Sequence, residues 1–287
     1  MKIGVVGLGA VGETAYTAMS MYHDVSGYDI DENKSKDSWS NTIDSELVFV
    51  CVPTPADESS GRLDSSAVDS VLRKLEDDGY EGVVCIESTL PVGFLSNGNY
   101  DNMPFDIVYK PEWLRERSRL KFFTNIDRLV LGCPDPHTEI VTEEGRAVRP
   151  HEVVLKALKP LDIKDVPIMQ TDYRTAEVIK LLHNAHIAIM VSTTNEFKRI
   201  SEELGVQPTK VMRGIYEDHR RSKAWMDPTK GGFSNSDCVP KDTSEILSKL
   251  DDKKKTKMLN AAFAVEKDVQ ESRDGNQHAA VKRWNDI

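Results

Sequence analysis

The sequence has 287 residues, enough for two domains of ordinary size, and hydrophobic and charged residues make up 39% and 29% of it. Its formal net charge of −10 argues against a surface for nucleic acid or anionic membranes. No apolar run approaches the roughly 20 residues that a membrane-spanning helix needs. The cysteines lie far apart without a CxxC pair, which predicts free thiols in a reducing cytoplasm and no metal site.

Short apolar runs predict seven β-strands along the first part of the chain, at 2–6, 24–30, 45–53, 82–89, 105–113, 127–133 and 165–172. Amphipathic stretches at 13–22 and 65–79 predict helices between some of them. Alternating strands and helices are typical of a parallel sheet with helices on both faces. The sequence therefore predicts a Rossmann-type, doubly wound α/β domain at about residues 1–170.

The pattern changes near residue 171, where a long helical stretch begins. Asp172 is a suitable N-cap, and helix-forming residues continue as far as Gly205, a suitable stop. We therefore expect an all-helical domain at about 171–287, built on a long central helix at 172–204. That helix carries more apolar residues than one small partner domain covers, which predicts a homodimer across it. Further helices are predicted at 208–221 and 253–272.

A glycine motif follows the first predicted strand. Gly7, Gly9 and Gly12 have GxGxxG spacing, with Ala10 and Val11 between them. Between a strand and a helix, such glycines allow a tight turn, a close approach of a pyrophosphate and close helix packing. The helix N-terminus adds N–H donors and partial positive charge. The motif predicts a dinucleotide site; the alternative is a strand–turn–helix in which the glycines are only structural.

The end of the second predicted strand indicates which dinucleotide is bound. Asp29 lies there, and an acidic side chain at this place accepts hydrogen bonds from the adenosine ribose hydroxyls. The same charge repels the additional phosphate of NADP, although the nearby cation of Lys34 partly offsets the repulsion. We therefore predict NAD as the cofactor, with Asp29 and Lys34 among the residues that bind it.

Several motifs occur in the same order and rough spacing as in one known family, at 4–12, 48–55, 87–93, 111–116, 176–196 and 238–242. On these motifs the sequence resembles the nucleotide-sugar dehydrogenases, the family of UDP-glucose 6-dehydrogenase. The resemblance implies a cytoplasmic, homodimeric enzyme that serves polysaccharide biosynthesis. Such an enzyme uses two NAD to oxidise the primary alcohol of a nucleotide sugar, such as UDP-glucose, to the uronic acid.

The resemblance also implies roles for individual residues. Cys238 corresponds to the nucleophile, and Glu112 to an acid/base or water-positioning group. Two pairs correspond to groups that polarise the sugar C6 oxygen and that hold a water, namely Lys180 with Asn184 and Thr89 with Asp242. The implied cofactor contacts include Pro53, Thr54, Thr89 and Lys241. The implied substrate contacts are Glu112, Trp113, Leu114, Arg115, Glu116, Lys180, Asn184 and Phe233.

These residue types suit the chemistry. Lys180 and Asn184 are four residues apart on the long predicted helix, so they share a face where a cation and an amide stabilise an oxyanion. A thiolate at Cys238 captures the aldehyde from a first oxidation, a second oxidation gives a thioester, and water releases the acid. Such a thiol needs a lowered pKa, for which Lys180 and Lys241 are candidate neighbours. We expect Cys238 in a polar loop, where Asp237 opposes that lowering.

The sequence departs from the family in three places. Members continue with another α/β domain that helps to hold the nucleotide, whereas this sequence ends at Ile287, so we expect the pocket to lack that part. The run before the cysteine is glycine-rich in the family, but 233–237 carries side chains here. Lys110 and Arg117 stand where members usually have asparagine and glycine. These differences bear on the identity of the substrate.

Two other functions fit the same features. A two-electron β-hydroxyacid-type dehydrogenase also pairs a glycine-rich domain with a helical one and uses a lysine with an asparagine four residues on; Cys238 is then idle. A non-catalytic protein that binds NAD or a nucleotide sugar would keep the fold without turnover. In each case Cys51, Cys85 and Cys133, which lie in apolar runs, are expected to be core residues.

Overall fold

The computed structural model describes residues 1–57, 60–98, 100, 102–113, 119–134, 140–141, 147–217, 232–236, 238–249 and 256–271. Its strands are β1 (Lys2–Val6), β2 (Asp24–Tyr28), β3 (Leu47–Val50), β4 (Val83–Ile86), β5 (Asp106–Tyr109), β6 (Leu129–Gly132), β7 (Ile140–Val141), β8 (Ala147–Val148) and β9 (Ile168–Thr171). Its helices are α1 (Ala10–Met19), α2 (Trp39–Ile43), α3 (Ser66–Asp77), α4 (Arg119–Thr124), α5 (Pro150–Leu158), α6 (Tyr173–Glu203), α7 (Pro208–Tyr216), α8 (Val239–Ser248) and α9 (Lys257–Glu271).

Seven strands form one sheet in the order β2-β1-β3-β4-β5-β6-β9, which confirms the predicted strands. The first five strands in this order are parallel. The expectation of a wholly parallel sheet is wrong at one place, because β6 pairs antiparallel with β5, Tyr109 lying opposite Gly132. A short apolar run marks a buried strand but carries no information about its direction.

Apolar side chains cover both faces of this sheet. Along β3, Leu47 and Phe49 pack into one core cluster with α1 and α5. Val48 and Val50 point the other way, into a second cluster with α3 and the first turn of α6. Because successive strand residues alternate between faces, a strand that is apolar throughout is buried from both sides. The doubly wound architecture predicted from the sequence is therefore confirmed.

The chain divides into two compact units, one made of Met1–Thr54 with Asp64–Ile179 and the other of Pro55–Leu63 with Lys180–Ile287. The second unit is helical in its described part, and α6 begins in the first unit and continues as the long helix of the second. The segment before Asp64 belongs to the second unit, where the Leu63 N–H donates to the buried Glu245 carboxylate at 2.8 Å. The boundary near residue 171 stays a prediction.

Helix α8 was not predicted from the sequence. Cys238, which was expected in a polar loop, lies outside the helix, and Val239–Ser248 forms a helix that begins directly after it. Pro240 lies in the first turn, where a missing N–H is tolerated. Along the part of the chain that the structure describes, no helix is long and apolar enough to cross a membrane.

A buried carboxylate holds the loop that follows β4. Glu177, in the first turns of α6, is fully buried and accepts hydrogen bonds from the N–H groups of Gly93 at 2.6 Å and Leu95 at 3.0 Å. The backbone donors in this loop have no water to bond to, so the carboxylate satisfies groups that would otherwise be costly to bury.

We predict that Glu177→Ala lowers the free energy of unfolding by about 2–4 kcal/mol, because it removes two charge-assisted hydrogen bonds and leaves buried N–H groups without an acceptor. Urea unfolding followed by circular dichroism measures the change. Glu203→Ala, at an exposed position on the same helix, is the matched control and should be nearly neutral. Equal stability of the two variants would contradict the prediction.

Candidate active site

The glycine loop has the geometry that a dinucleotide requires. Gly7 has φ 88°, a left-handed conformation, and a Cβ there would lie 2.8 Å from the Cys51 carbonyl oxygen. A Cβ on Gly12 would collide with the Gly7 carbonyl, so α1 packs directly against the turn. A Cβ on Gly9 would have no atom within 4 Å. The open side of Gly9, at the N-cap of α1, is thus shaped for a ligand, and the residues fit a pyrophosphate.

Asp29 lies beside this loop, directly after β2. Its carboxylate accepts the Leu8 N–H at 2.6 Å and the Asp31 N–H at 2.9 Å, which holds the side chain against the glycine turn. Lys34 pairs with Asp31 at 3.2 Å. An exposed pair of this kind contributes little to stability, but it keeps a negative charge next to the lysine. The arrangement fits the ribose of NAD better than a 2′-phosphate.

The crevice of a parallel sheet opens where the strand order reverses, and here that point lies between β1 and β3. The glycine loop follows β1, while Pro53 and Thr54 follow β3, so the predicted cofactor residues leave the sheet at the same edge. Pro53 is exposed and Thr54 is buried. Ala10 is exposed and Val11 half-buried in the first turn of α1.

A cluster of buried charges follows β4 and β5. The Lys110 Nζ lies 2.7 Å from Glu87 Oε1 and 2.8 Å from Glu112 Oε2, and the side chains of Glu87 and Lys110 are almost completely inaccessible. Burial raises the pKa of Glu87 to about 7, against the opposing effect of the Lys110 ammonium. Thr89, predicted to hold a water, is half-buried two residues after Glu87. The sequence reasoning noted Lys110 only as a departure from the family, and it missed Glu87. An acidic residue inside the apolar run of a predicted strand was the sequence feature that could have indicated Glu87.

The second unit contains another set of residues that were predicted to belong to the active site. Lys180 and Asn184 are buried on α6, with 7% and 5% of their surface exposed. They are therefore not part of a solvated polar face. The Asn184 Nδ2 donates to Asp242 Oδ2 at 2.6 Å, and the Lys241 Nζ donates to Asp242 Oδ1 at 2.9 Å. Asp242 is itself fully buried in the first turn of α8. The structure therefore joins α6 and α8 through one carboxylate.

Cys238 lies at the start of α8, and its carbonyl oxygen accepts the Asp242 N–H at 3.0 Å. It is exposed, whereas Cys51, Cys85 and Cys133 are buried. Burial raises the pKa of each of those three thiols, which makes them poor nucleophiles at neutral pH. Cys238 therefore lies next to a helix N-terminus, where the partial charge of the helix is positive.

The segment before Cys238 is held by another buried carboxylate. Glu266 of α9 accepts the Phe233 N–H at 2.7 Å and the Ser234 N–H at 3.0 Å, and Gln270 donates to it at 2.7 Å. Phe233 is buried with its ring edge-on to Phe263 at 5.3 Å. This anchor fixes the segment leading to the thiol, and the sequence reasoning missed it.

The predicted substrate contact Trp113 packs against an arginine. Trp113 is half-buried, and its ring lies 4.4 Å from the guanidinium of Arg128. The remaining residues singled out from the sequence, Leu114, Arg115, Glu116, Arg117 and Asp237, lie outside the described residues. Across the described ranges, no group of three or more histidine, cysteine, aspartate or glutamate side chains is placed to hold a metal ion.

A dinucleotide-binding sheet joined to a helical unit that carries a lysine, an asparagine and an exposed cysteine defines the class of two-domain, NAD-dependent dehydrogenases. Residues 35–148 match the NAD binding domain of the UDP-glucose/GDP-mannose dehydrogenase family, and residues 174–268 match its central domain. The chain belongs to the UDP-glucose/GDP-mannose dehydrogenase family. This confirms the predicted family and its cofactor, NAD.

Individual relatives agree with this assignment. The chain is 30% identical to a UDP-glucose 6-dehydrogenase of Rhizobium meliloti over 216 residues, which are 72% of this chain and 46% of that protein. It is 26% identical to a UDP-glucose 6-dehydrogenase of Campylobacter jejuni over 281 residues, 86% of this chain and 67% of that protein. The chain thus spans less than half the length of the Rhizobium relative.

The fold also resembles the solved structure of a UDP-glucose dehydrogenase. A UDP-glucose dehydrogenase from Pyrobaculum islandicum superposes with a TM-score of 0.75 at 22% identity, covering 93% of this chain and 68% of that one. This similarity confirms the predicted combination of a Rossmann-type domain and a helical domain.

We predict that Gly9→Ala weakens NAD binding by about tenfold or more without destabilising the fold, because the added methyl group enters only the open side of the loop. Gly12→Ala should instead lower the free energy of unfolding by about 1–3 kcal/mol, because its methyl group meets the Gly7 carbonyl. Calorimetric titration with NAD and thermal unfolding measure the two effects. Wild-type affinity in Gly9→Ala would show that the pyrophosphate does not approach this glycine.

Proposed function

We propose that the chain is a NAD-dependent nucleotide-sugar dehydrogenase that oxidises the primary alcohol of a UDP-glucose-like substrate to a carboxylate through Cys238. The names of the Rhizobium and Campylobacter relatives support the substrate class. One observation carries the chemistry: an exposed thiol lies one helical turn before Asp242, whose carboxylate is bonded to Asn184. We place the activity in the cytoplasm, as a source of uronic acid for polysaccharide biosynthesis.

NAD, when bound, accepts one hydride in each of two oxidations. The first oxidation removes a proton and a hydride from the sugar C6 alcohol and leaves an aldehyde. The Cys238 sulfur then adds to the aldehyde carbon, and a proton goes to the oxygen, giving a thiohemiacetal. Loss of a second hydride from the same carbon and of the hydroxyl proton gives a thioester. Water breaks the C–S bond, which yields the acid and the free thiol.

Residues of this chain have a proposed role in these steps. The Lys180 ammonium and the Asn184 amide stabilise negative charge on the C6 oxygen, and their burial strengthens that interaction. Lys241 is the cation proposed to favour the Cys238 thiolate. Asp242 fixes Asn184 and Lys241, so it acts on the reaction also by positioning them.

Two further residues, both in the first unit, complete the proposal. We assign the movement of protons in the hydrolysis to Glu112, because a carboxylate is a suitable acid and base. Thr89 is assigned to the water that attacks the thioester. The Rhizobium relative is about twice as long as the stretch that this chain matches, so the activity of the whole protein is part of the proposal.

We predict that Cys238→Ser abolishes acid formation while NAD binding is retained. Serine has no sulfur and cannot form the thioester intermediate. Wild-type protein incubated with NAD and UDP-sugars should form two NADH for each sugar consumed. Thiol labelling supplies a control that needs no substrate: the native wild type should react at one cysteine, and Cys238→Ser at none, because the other three are buried.

The stoichiometry separates the competing functions. One NADH per substrate, with Cys238→Ser as active as the wild type, would indicate the β-hydroxyacid-type reaction. NAD binding without NADH formation from any UDP-sugar would indicate a binding protein without turnover.

We propose further that the chain forms a homodimer through the long helix 172–204. The side chains at 182, 186, 189, 193 and 200, apolar except for a histidine and a threonine, share one face of α6 as a stripe, which is the pattern of a helix–helix seam. Its outermost members, Leu182 and Ile200, are 47% and 46% exposed in the single chain. Other residues on the stripe are His186, Ile189 and Thr193.

We predict that light scattering gives a mass twice the 32.2 kDa of the chain, and that Ile200→Arg shifts the protein to a monomer because it buries a charge in the seam. Met258→Arg is the matched control, since Met258 is 63% exposed on α9, off the stripe, and should leave the dimer intact. A monomeric wild type at micromolar concentration would exclude this interface.

A further inference from the structure

A buried carboxylate on α9 receives hydrogen bonds from the short segment that precedes the thiol. Glu266 is fully buried, and its Oε2 accepts the Phe233 N–H at 2.7 Å. Its Oε1 accepts both the Ser234 N–H at 3.0 Å and the Ser234 hydroxyl at 2.5 Å, and the Gln270 side chain donates to the same oxygen at 2.7 Å. Two successive residues of one segment are therefore held by the two oxygens of one carboxylate.

The backbone at Gly232 approaches this carboxylate so closely that a side chain there has no room. A Cβ at this position would collide with both Glu266 oxygens. The backbone of Gly232 is extended, with φ −76°, so the conformation alone does not require glycine. The carboxylate is what excludes a side chain, and the segment and α9 are matched to each other at this point.

The segment passes its position on to α8. Phe233–Asn235 forms a single 3₁₀ turn, which the Ser236 N–H closes by donating to the Phe233 carbonyl at 3.1 Å. The Ser236 hydroxyl in turn accepts the Val239 N–H at 3.4 Å, so it satisfies one of the first N–H groups of α8. Cys238 is the N-cap residue of that helix and lies between these two bonded residues.

Helix α9 is itself fixed within the second unit. The Ser192 hydroxyl of α6 donates to the Ala262 carbonyl at 2.9 Å, and Phe263 is fully buried. The Phe233 ring packs edge-on against Phe263 at 5.3 Å. The ring, the N–H and the carbonyl of Phe233 are thus all engaged inside this unit, which makes the residue a support for the segment.

We propose that Glu266 is a positioning residue for the thiol: by holding Phe233 and Ser234 it keeps Cys238 at the N-terminus of α8. The partial positive charge of a helix N-terminus stabilises a thiolate there. This inference rests on the proposed function, in which Cys238 is the nucleophile. Glu266 acts on the reaction through the turn and the first residues of α8.

Glu266→Gln tests the proposal with almost no change of volume. An amide presents one oxygen and one NH₂ group, so one of the two backbone N–H groups, that of Phe233 or that of Ser234, is left without an acceptor. We expect Cys238 to react with iodoacetamide at neutral pH about two- to fivefold more slowly, the factor to which the charge of a helix N-terminus corresponds. Loosening alone would leave an exposed thiol as accessible as before or more so. A slower reaction therefore separates positioning from a loss of stability.

Gly232→Ala tests the same contact from the other side. It retains the carboxylate, but its methyl group pushes the segment away, so the thiol should again react more slowly. In the combined variant, Gly232→Ala with Glu266→Gln, labelling should be no slower than in the slower of the two single variants, because both substitutions act on one contact. Gly232→Ala also carries the test where Glu266→Gln does not fold.

Glu271→Gln is the matched control, since it is the same substitution at an exposed position on α9, and it should leave the labelling rate unchanged. The three buried cysteines report on folding in every variant, because they stay unlabelled as long as the chain is folded. Unchanged or faster labelling in folded Glu266→Gln, or an equal slowing in Glu271→Gln, overturns the proposal.

Turnover supplies the second readout and separates this inference from the proposed function. In an active enzyme Glu266→Gln should lower kcat for acid formation at least as much as it slows labelling, with little change in KM for NAD. Slower labelling in a protein that oxidises no UDP-sugar supports the positioning of the thiol, and in that case the proposed function fails. Acid formation by the wild type, with labelling and kcat both unchanged in Glu266→Gln, overturns the inference alone.

Discussion

The buried carboxylate of Asp242 is the contact on which the arrangement of the second unit depends. It receives the Asn184 amide from α6 and the Lys241 ammonium from its own helix, and its backbone N–H is bonded to the carbonyl of Cys238. An uncompensated carboxylate at this depth would be strongly destabilising, so its partners are confined to narrow positions. Fixing Asn184 fixes Lys180 one turn earlier, and fixing the first turn of α8 fixes the thiol.

Other carboxylates in this chain hold segments of irregular backbone in the same way, by accepting hydrogen bonds from backbone N–H groups. Glu177 accepts N–H groups of the loop after β4, Glu266 those of the segment before Cys238, Glu245 that of Leu63, and Asp29 that of the glycine turn. Hydrogen bonds to an ionised acceptor are stronger than neutral ones, and burial keeps water from competing for them. Loops that carry candidate site residues are thereby ordered by carboxylates, of which Asp29 is also a predicted cofactor contact.

Whether a feature of this fold could be predicted depends on how far apart in the sequence the residues that determine it lie. The glycine turn, the seven strands and the long helix are encoded locally, by spacing and by apolar runs, and the sequence reasoning found them. Helix α8 was missed because Pro240 and the polar residues before it suggested a loop, although proline is tolerated in a first turn. The direction of β6 and the partners of Glu87 and Glu266 depend on residues far away in the sequence, and no local pattern carries them. Roles for Cys238 and Lys180 came from the family resemblance rather than from any pattern in the residues.

The long-range pairs also change how departures from the family are understood. Taken one at a time, a lysine at position 110 puts an ammonium among apolar strands, and a glutamate at 87 puts a carboxylate there; each alone is costly by several kcal/mol. Together, 2.7 Å apart, each removes most of the cost of the other. The two residues are therefore interpretable only as a pair, and Glu112 Oε2 lies 2.8 Å from the same ammonium. Burial raises the pKa of Glu87 to about 7 against the opposing effect of the Lys110 ammonium, so the packing around the pair itself shifts the charge that the pair carries.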